Sequence, residues 1–377
     1  MVWRYKHCPQ PNQSINWDSI YQKYDYFEVL EATPQSPIYH AEGNVWIHTK
    51  MVCEELMQLR EWQELNETNR SVLFLSALLH DIGKGTCTRT EMDGRITSPK
   101  HAVVGSLMTR QLLWKEVWHE IPFALRERVV SLVRYHGLPL WFDAKRNPEK
   151  AIITAAETTN LKHLSILSEA DLKGRICADK DELLFRIELF RERSEDLNCF
   201  EIPYPFSSDM ARFTYFNSPE SNRFYEPYDN EAEAQVTVMS ALPGAGKDTY
   251  VQKNLKGLPI ISLDELRRQL KISPKGEQGK VIQAAKEQAR VHLRKKESFV
   301  WNATNITRQV RSTIIGLFTT YKARINIIYI EPPYKTLIAQ NEGREAIVPR
   351  KVVERMIKRL QIPDTTEAHR VKYVVGA

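Results

Sequence analysis

One stretch constrains the fold of this chain more than any other: V-T-V-M-S-A-L-P-G-A-G-K-D-T at residues 236–249. A β-branched apolar run leads into a glycine-rich turn, and residues compatible with a helix follow the final Gly-Lys. This order predicts a strand, a phosphate-binding loop and a helix, because glycines allow backbone N–H groups to converge on phosphate oxygens. A glycine-rich turn that binds nothing is the alternative. The predicted phosphate-binding residues are Gly244, Ala245, Gly246, Lys247, Asp248 and Thr249.

The loop departs at two positions from the pattern G-x-x-x-x-G-K-[ST]. Ala241 replaces the first glycine, but the turn can still form at Pro243-Gly244. Asp248 replaces the Ser or Thr whose hydroxyl ordinarily ligates Mg²⁺. A carboxylate beside phosphates is unfavourable unless a cation lies between them, so we expect Asp248 to contact Mg²⁺ directly or through water.

The length of 377 residues predicts two domains. We place an all-helical domain at 1–198 and an α/β domain with a parallel sheet at 235–377. Between them, residues 199–234 form a connector that is rich in proline and aromatic residues. This composition favours packing against a domain over a free tether, with base stacking as the alternative.

The charge is distributed unevenly along the chain. Residues 231–377 hold 26 Lys and Arg against 14 Asp and Glu, whereas residues 1–230 hold 27 against 33. A basic α/β domain suits a polyanionic partner such as nucleic acid, because fixed cations attract phosphates. A basic surface that is simply solvated is the alternative.

Other features bear on the cellular context. No segment approaches the ~18 consecutive apolar residues of a membrane span, and residues 1–9 lack the apolar core of a signal peptide. The five cysteines include no C-x-x-C pair, which is typical of reduced thiols. We therefore expect a cytoplasmic protein without a membrane partner.

Polar residues recur at buried positions of the predicted helices in the first half. Apolar spacing predicts a helix over 42–64 with His48 on its buried face, and a core helix over 71–81 that carries His80 and Asp81 at its inner end. Burying an unpaired carboxylate is costly, and a divalent cation removes that cost. The pair therefore predicts a metal site.

Three further predicted helices carry candidate ligands. Ser98 is the expected N-cap of a helix that has His101 in its first turn. A helix over 126–136 carries His136 in its last turn and ends at Gly137. A helix over 164–175 carries Asp171 and Arg175 one turn apart on the same face.

The order H…HD…H…H…D resembles the HD phosphohydrolase superfamily, on the strings H-D-I-G-K at 80–84 and A-D-L-K-G-R at 170–175. The resemblance implies an all-helical fold and two metal ions, the first held by His48, His80, Asp81 and Asp171. Asp81 would bridge to a second ion held by His101 and His136, and Lys84 and Arg175 would hold the substrate phosphate. Imidazole and carboxylate ligands suit Mn²⁺, Co²⁺, Ni²⁺, Cu²⁺ or Zn²⁺ better than Mg²⁺. We expect structural roles for His7, His40, His119 and His163.

The second half alternates predicted strands and helices, which favours a parallel α/β sheet. The strands are predicted at 236–240, 258–263, 298–301, 325–330 and 371–375, with a long basic helix at 277–297. Asp264 follows the second strand, where its carboxylate would face the nucleotide and could accept a proton from an attacking hydroxyl. A helix N-cap is the alternative role for Asp264, and the two roles are compatible.

The motifs P-G-x-G-K, Asp264 with Arg267, and A-T-N at 303–305 are similar to those of polynucleotide 5′-kinases of the P-loop phosphotransferase group. With its first half, the chain resembles the bifunctional HD-domain polynucleotide kinases of bacterial RNA end repair. The resemblance implies ATP or another nucleoside triphosphate with Mg²⁺, Lys247 and Arg344 on the ATP phosphates, and Asp264 as general base. The implied substrate-binding residues are Arg267, Thr304, Asn305, Arg308 and Arg311, of which the last two could equally lie on a solvated helix face. Asn302 stands where related kinases often carry Asp.

These observations lead to the hypothesis of an enzyme that phosphorylates 5′-OH ends of RNA, or of DNA, and removes 3′-phosphate or 2′,3′-cyclic phosphate groups. A ligase would then be a downstream partner. Two alternatives remain open. One is a nucleotidase fused to a kinase of nucleosides or other small molecules, and the other is a nucleotide-gated RNA-binding switch with degenerate sites.

Overall fold

The computed structural model describes residues 2–115, 121–219, 221–228, 234–273, 276–344 and 346–376. The chain divides into two compact units, Met1–Pro205 and Phe206–Ala377. The division falls within the predicted connector. His119, for which we expected a structural role, lies outside the described residues.

The first unit is built from helices with one short antiparallel hairpin, β1 (Arg89–Thr90) and β2 (Ile96–Thr97). Its helices are α1 (Trp17–Tyr21), α2 (Tyr26–Glu31), α3 (Val45–Gln58), α4 (Arg60–Gln63), α5 (Glu67–Leu79), α6 (Lys84–Cys87), α7 (His101–Lys115), α8 (Phe123–Tyr135), α9 (Leu138–Trp141), α10 (Pro148–Ala156), α11 (Leu161–Lys173) and α12 (Lys180–Asp196).

Helix α5 forms the centre of this unit. Asn66 caps its N-terminus by accepting a hydrogen bond from the Asn69 backbone, and every residue from Ser71 to Leu79 is buried. The helix packs against α3, α8 and α11. A helix that is apolar on all sides must be enclosed by other elements, so the surrounding helices bring their own inward-facing side chains to the C-terminal end of α5.

Two helix boundaries differ from the sequence predictions. The predicted helix over 42–64 is broken at Leu59, whose backbone is extended, so that α3 and α4 are separate helices. Ser98 is not an N-cap, because α7 begins at His101 after Lys100 adopts a φ of 61°. The end of α8 agrees with the prediction: the helix stops at Tyr135, and Gly137, with a φ of −86°, leads directly into α9.

The second unit is a five-stranded parallel sheet with helices, which confirms the predicted fold class. Its elements are α13 (Asp209–Asn217), β3 (Gln235–Ala241), α14 (Lys247–Asn254), β4 (Ile260–Ser262), α15 (Leu263–Gln269), α16 (Gln278–Arg294), β5 (Phe299–Asn302), α17 (Arg308–Thr319), β6 (Arg324–Glu331), α18 (Tyr334–Glu342), α19 (Arg350–Lys358) and β7 (Arg370–Val375). The strand order is β4-β5-β3-β6-β7, and each neighbouring pair is parallel.

The central strand β3 places the glycine-rich loop at its carboxyl end. It is flanked by β5 on one side and β6 on the other, and six of its seven residues are buried. Ligands of parallel α/β sheets bind at the carboxyl edge, beside the point where the strand order reverses. The topology therefore puts the loop, the residues after β4 and the residues after β5 at one edge.

Part of the predicted connector belongs to the second unit. Within α13, Phe213 is buried in the core of this unit and its ring stacks on His369, with the centroids 4.0 Å apart. Phe224, Tyr225 and Tyr228 are exposed. Within the described residues, no helix is both long enough and apolar enough to span a membrane.

Candidate functional sites

The first unit brings three candidate ligands of one metal ion together from three helices. His48 lies in the middle of α3, His80 is the residue after α5, and Asp171 lies in the last turns of α11. The Nε2 atom of His48 is 3.0 Å from Oδ1 of Asp171 and 3.3 Å from Nε2 of His80. All three side chains are buried.

A second cluster adjoins the first through Asp81. Its Oδ1 atom lies 3.4 Å from Nε2 of His101 and 3.8 Å from Nε2 of His136, and these two nitrogens are 3.3 Å apart. Its Oδ2 atom lies 3.2 Å from Nε2 of His80 in the first cluster. The carboxylate of Asp81 therefore borders both groups of ligands.

The proton positions on the imidazoles fit a metal centre. The Nδ1 atoms of three histidines each lie against the carbonyl oxygen three residues earlier, at 2.7 Å for His80, 2.8 Å for His101 and 2.9 Å for His136. A carbonyl only accepts, so Nδ1 carries the proton and Nε2 presents its lone pair to the cluster. Lone pairs and carboxylate oxygens repel each other at these distances unless cations lie among them.

The environment of Asp81 also indicates that the cluster fits a metal ion. Its Oδ1 atom is buried and accepts no hydrogen bond within the described residues. A buried carboxylate oxygen without a donor is costly, and a divalent cation would compensate it. The set of imidazole nitrogens and carboxylate oxygens suits late first-row transition metals.

The two candidate phosphate-binding cations are anchored to the acidic ligands. Lys84 Nζ lies 2.7 Å from Asp81 Oδ2 and 2.7 Å from Gln35 Oε1, and Arg175 forms an ion pair with Asp171. Burial by itself would raise the pKa of both carboxyls, but these cations hold the pKa values well below their usual range. Burial lowers the pKa of His136 to about 3, so its ring is neutral at pH 7.

The glycine-rich loop of the second unit has the backbone that the motif requires. Gly244 and Gly246 both have a φ of 84°. Residues with a side chain rarely adopt this left-handed conformation, whereas glycine adopts it readily. A Cβ atom at Gly244 would also lie 2.8 Å from the carbonyl oxygen of Leu337, so the loop approaches α18 closely. Helix α14 begins directly after the loop at Lys247.

The side chain of Lys247 is held by two neighbours. Its Nζ atom lies 2.7 Å from Oδ1 of Asp248 and 2.7 Å from Oδ1 of Asn302, and Asn302 donates to Asp248 at 2.8 Å. Burial would raise the pKa of Asp248, but the hydrogen bond from Lys247 lowers it, so the carboxylate is ionised. Asn302, whose role the sequence left open, thus lies in direct contact with the loop lysine.

A cavity of about 1490 Å³ opens at this edge of the sheet. It is lined by the whole glycine-rich loop together with Asp264, Arg267, Thr304 and Arg344. Asp264 lies in the first turn of α15, is exposed, and forms an ion pair with Arg267. The structure therefore brings the predicted kinase residues that follow β3, β4 and β5 to one cavity.

Two family models match this chain, one in each unit. The model described as the HD domain matches residues 44–160, and the model described as the AAA domain matches residues 236–363. The chain joins an HD domain to a P-loop AAA domain. Among solved structures, a Chloroflexus aurantiacus protein described as a "putative kinase" matches with 15% identity and a TM-score of 0.34, covering 39% of this chain and 87% of that one. No curated protein matches.

Two predicted substrate-binding residues of the AAA domain are structural instead. Arg311 is fully buried, and its guanidinium pairs with both carboxylate oxygens of Glu367 at 2.8 Å. Asn305 is also buried, and its side-chain amide donates to the carbonyl oxygen of Met239 at 2.7 Å. Both side chains are buried inside this unit, so neither is placed to contact a nucleic acid.

Arg308 lies at the start of α17 and is part of a similar network. Its guanidinium pairs with Asp364 at 3.2 Å and donates to the hydroxyl of Thr366, although about half of the side chain remains exposed. These bonds fix the arginine to the loop that precedes β7. Its proposed contact with a nucleic-acid backbone therefore competes with an existing ion pair.

Sequence reasoning missed two residues of the first unit. Glu42 and His40 lie in the turn before α3, and Glu42 Oε1 is 3.0 Å from Nδ1 of His48 and 2.8 Å from Nδ1 of His40. We expected a structural role for His40, and the structure places its ring against Glu42, beside the candidate ligand His48. No local pattern marks these residues, because the contact depends on how the turn folds back over α3.

Proposed function

We propose that this protein heals the ends of nucleic acids. The AAA domain transfers the γ-phosphate of a nucleoside triphosphate to a 5′-OH end, and the HD domain removes a 3′-phosphate or opens and removes a 2′,3′-cyclic phosphate. The observation that carries the proposal is that one chain contains a buried His and Asp cluster suited to metal-dependent phosphate hydrolysis and a glycine-rich loop with Lys247 in a large cavity. The products would have 5′-phosphate and 3′-OH ends, which a ligase can join.

The kinase step uses residues that line the AAA cavity. Backbone N–H groups of the loop and Lys247 bind the phosphates, and Arg344 adds a second positive charge. The substrate 5′-oxygen forms a bond to the γ-phosphorus while the bond to the β-phosphate oxygen breaks. The proton of the hydroxyl passes to the carboxylate of Asp264, and a nucleoside diphosphate leaves.

Asp248 is the proposed Mg²⁺ ligand of the kinase site. The carboxylate is ionised and faces the same cavity as the loop, so it can accept Mg²⁺ in place of the usual hydroxyl. Asn302 holds both Lys247 and Asp248, and it therefore keeps the two side chains in a fixed relation to the phosphates. Thr304 is proposed to contact the acceptor at the same edge.

The hydrolytic step belongs to the HD domain. His48, His80 and Asp171 would hold one divalent ion, His101 and His136 a second, and Asp81 both. Bound ions would supply Lewis acidity and lower the pKa of water. Lys84 and Arg175, which border the ligands, would steady the non-bridging oxygens while water bonds to phosphorus and the ribose oxygen leaves with a proton.

Several features favour a polymer over a small molecule as the kinase substrate. The second half of the chain is strongly basic, with 26 Lys and Arg against 14 Asp and Glu in residues 231–377. The cavity exceeds the roughly 300 to 1,000 Å³ of typical small-ligand pockets, and Lys253, Arg268 and Lys271 line it beyond the loop. Cations beyond the triphosphate site suit the phosphates of an acceptor strand.

End-group analysis of one oligonucleotide tests the proposal. An RNA with a 5′-OH and a 2′,3′-cyclic phosphate is incubated with ATP, Mg²⁺ and a transition metal, beside a DNA of the same sequence with a 3′-phosphate and beside free nucleosides. We expect a 5′-phosphate and a 3′-OH on the oligonucleotides. Phosphorylation of nucleosides alone would support a small-molecule kinase, and tight RNA binding with no turnover would support a nucleotide-gated switch.

A further inference from the structure

Glu42 has a buried carboxylate that contacts His48 on the side of the ring that faces away from the other candidate metal ligands. Its side chain is 1% exposed, and Oε1 lies 3.0 Å from Nδ1 of His48, the nitrogen opposite to the one that faces the ligand cluster. The neighbouring oxygen Oε2 accepts from the backbone N–H of Ile176 at 2.9 Å. Each oxygen of the Glu42 carboxylate therefore has a hydrogen-bond donor beside it, the His48 ring for Oε1 and the Ile176 backbone for Oε2.

The contact determines which nitrogen of His48 carries the proton. A carboxylate accepts hydrogen bonds, and the carbonyl oxygen of Gly174 lies 3.3 Å from the same Nδ1 atom. With two acceptors facing Nδ1, the proton belongs there, and Nε2 keeps a lone pair 3.0 Å from Asp171 Oδ1 and 3.3 Å from His80 Nε2. His48 differs in this respect from the other three histidines, which donate only to main-chain carbonyls within the described residues.

Three hydrogen bonds hold Glu42 and its turn in place. His40 donates Nδ1–H to Oε1 at 2.8 Å, because a carboxylate oxygen can only accept. The turn containing Glu42 is clipped to the segment after α11 by two bonds, one from Ala41 N to Ile176 O at 3.0 Å and one from Ile176 N to Glu42. That segment follows Asp171 by five residues.

We propose that Glu42 is a positioning residue of the metal centre, which fixes the tautomer and ring orientation of His48 and ties α3 to the end of α11 that carries Asp171. The inference rests on the metal centre of the proposed function and adds a residue that touches no substrate. A carboxylate that accepts from the distal nitrogen of a ligand histidine also makes that histidine a stronger donor to metal. His40 supports the same carboxylate.

Metal binding by the full-length protein tests the proposal without relying on catalysis. The affinity for Mn²⁺ and Ni²⁺ is measured by competition with a fluorescent chelator, and the number of bound ions by elemental analysis. We expect Glu42→Ala to weaken binding about 10- to 100-fold. Glu42→Gln should lose less, because the amide oxygen can still accept from His48.

Glu169→Ala is the matched control. Glu169 is a mostly buried carboxylate of the same unit, on the helix of Asp171, but it pairs with Lys173 and Arg191 and contacts no candidate ligand within the described residues. We expect the metal affinity of the Glu169→Ala variant to stay within twofold of that of the unchanged protein. Far-UV circular dichroism and urea unfolding of each variant verify that the first unit, which binds the metal, is folded.

Two results would overturn the positioning role of Glu42, and a third would support that role while contradicting the proposed function. Unchanged metal affinity in folded Glu42→Ala would overturn the positioning role. A third bound ion that disappears in Glu42→Ala would also overturn it, because His40, Glu42 and His48 would then be a metal site themselves. Weakened metal binding in a protein that hydrolyses no phosphate end would support the role of Glu42 while contradicting the proposed function.

Discussion

The ammonium group of Lys247 lies 2.7 Å from the side-chain oxygen of Asn302, the last residue of β5. The bond joins the loop after the central strand to the neighbouring strand, so the lysine proposed to bind phosphate is held by the sheet. Asp248 completes the contact by accepting from both side chains. A lysine that is fixed before the ligand arrives loses less side-chain entropy on binding.

Substitution of this lysine should separate the two proposed activities. We expect Lys247→Ala to reduce 5′-phosphorylation by at least about 10³-fold, because it removes the main cation on the transferred phosphate. Phosphate removal from a 3′ end should remain unchanged, since its ligands lie in the other unit. Asp81→Ala should give the opposite pattern. Rates measured separately on 5′-OH and on 3′-phosphate oligonucleotides check both, and parallel loss in folded variants would argue against two sites.

Metal replacement should affect the two activities differently. The HD cluster offers imidazole nitrogens and carboxylate oxygens, whereas the loop site offers Asp248 and substrate phosphates. After chelation and dialysis, we expect Ni²⁺, Co²⁺ or Mn²⁺ to restore phosphate removal and Mg²⁺ to suffice for the kinase. Activity assays with each metal added alone check this. A phosphatase that is indifferent to chelation would contradict the metal centre.

The sequence predicted the elements whose signals are local. The glycine-rich loop, the alternation of strands and helices and the apolar helix before His80 each follow from a short pattern of residues, and the structure contains all three. Glu42 could not be found this way, because its partner His48 faces it only after the turn at residues 40–44 folds back. Arg311 shows the reverse error: an arginine after a strand suggested a phosphate contact, but Glu367 lies 56 positions away and pairs with it in the folded domain.

The buried pair of Arg311 and Glu367 predicts a large effect on stability. Arg311→Ala would leave the Glu367 carboxylate buried without its partner, and we expect a loss of about 3 to 5 kcal/mol in the free energy of unfolding. Arg308→Ala is the matched control on the same helix, since its partly exposed ion pair should contribute about 1 kcal/mol or less. Urea unfolding of both variants measures the difference. If Arg311→Ala kept full stability and lost only nucleic-acid binding, the structural role would be wrong.

His163 of the first unit should make the stability of that unit depend on pH in the acidic range. The ring is buried, and its Nδ1 atom accepts a hydrogen bond from Arg128 at 3.1 Å. Burial, aided by the charge of Arg128, lowers the pKa of His163 from 6.5 to about 4. Between these two values the unfolded chain binds a proton that the folded chain does not, so stability falls as the pH falls from about 6.5 to about 4.

The size of this effect follows from the same two pKa values. Lowering the pH from 7 to 5 should remove about 2 kcal/mol of stability through His163 alone. In His163→Asn the amide oxygen can still accept from Arg128 but does not titrate, so the variant should lose that much less over the same pH interval. Urea unfolding of both proteins at several pH values between 7 and 5 gives the difference, which cancels the contributions of other groups. Equal pH dependence in the two proteins would mean that the pKa of His163 is the same in the folded and the unfolded chain.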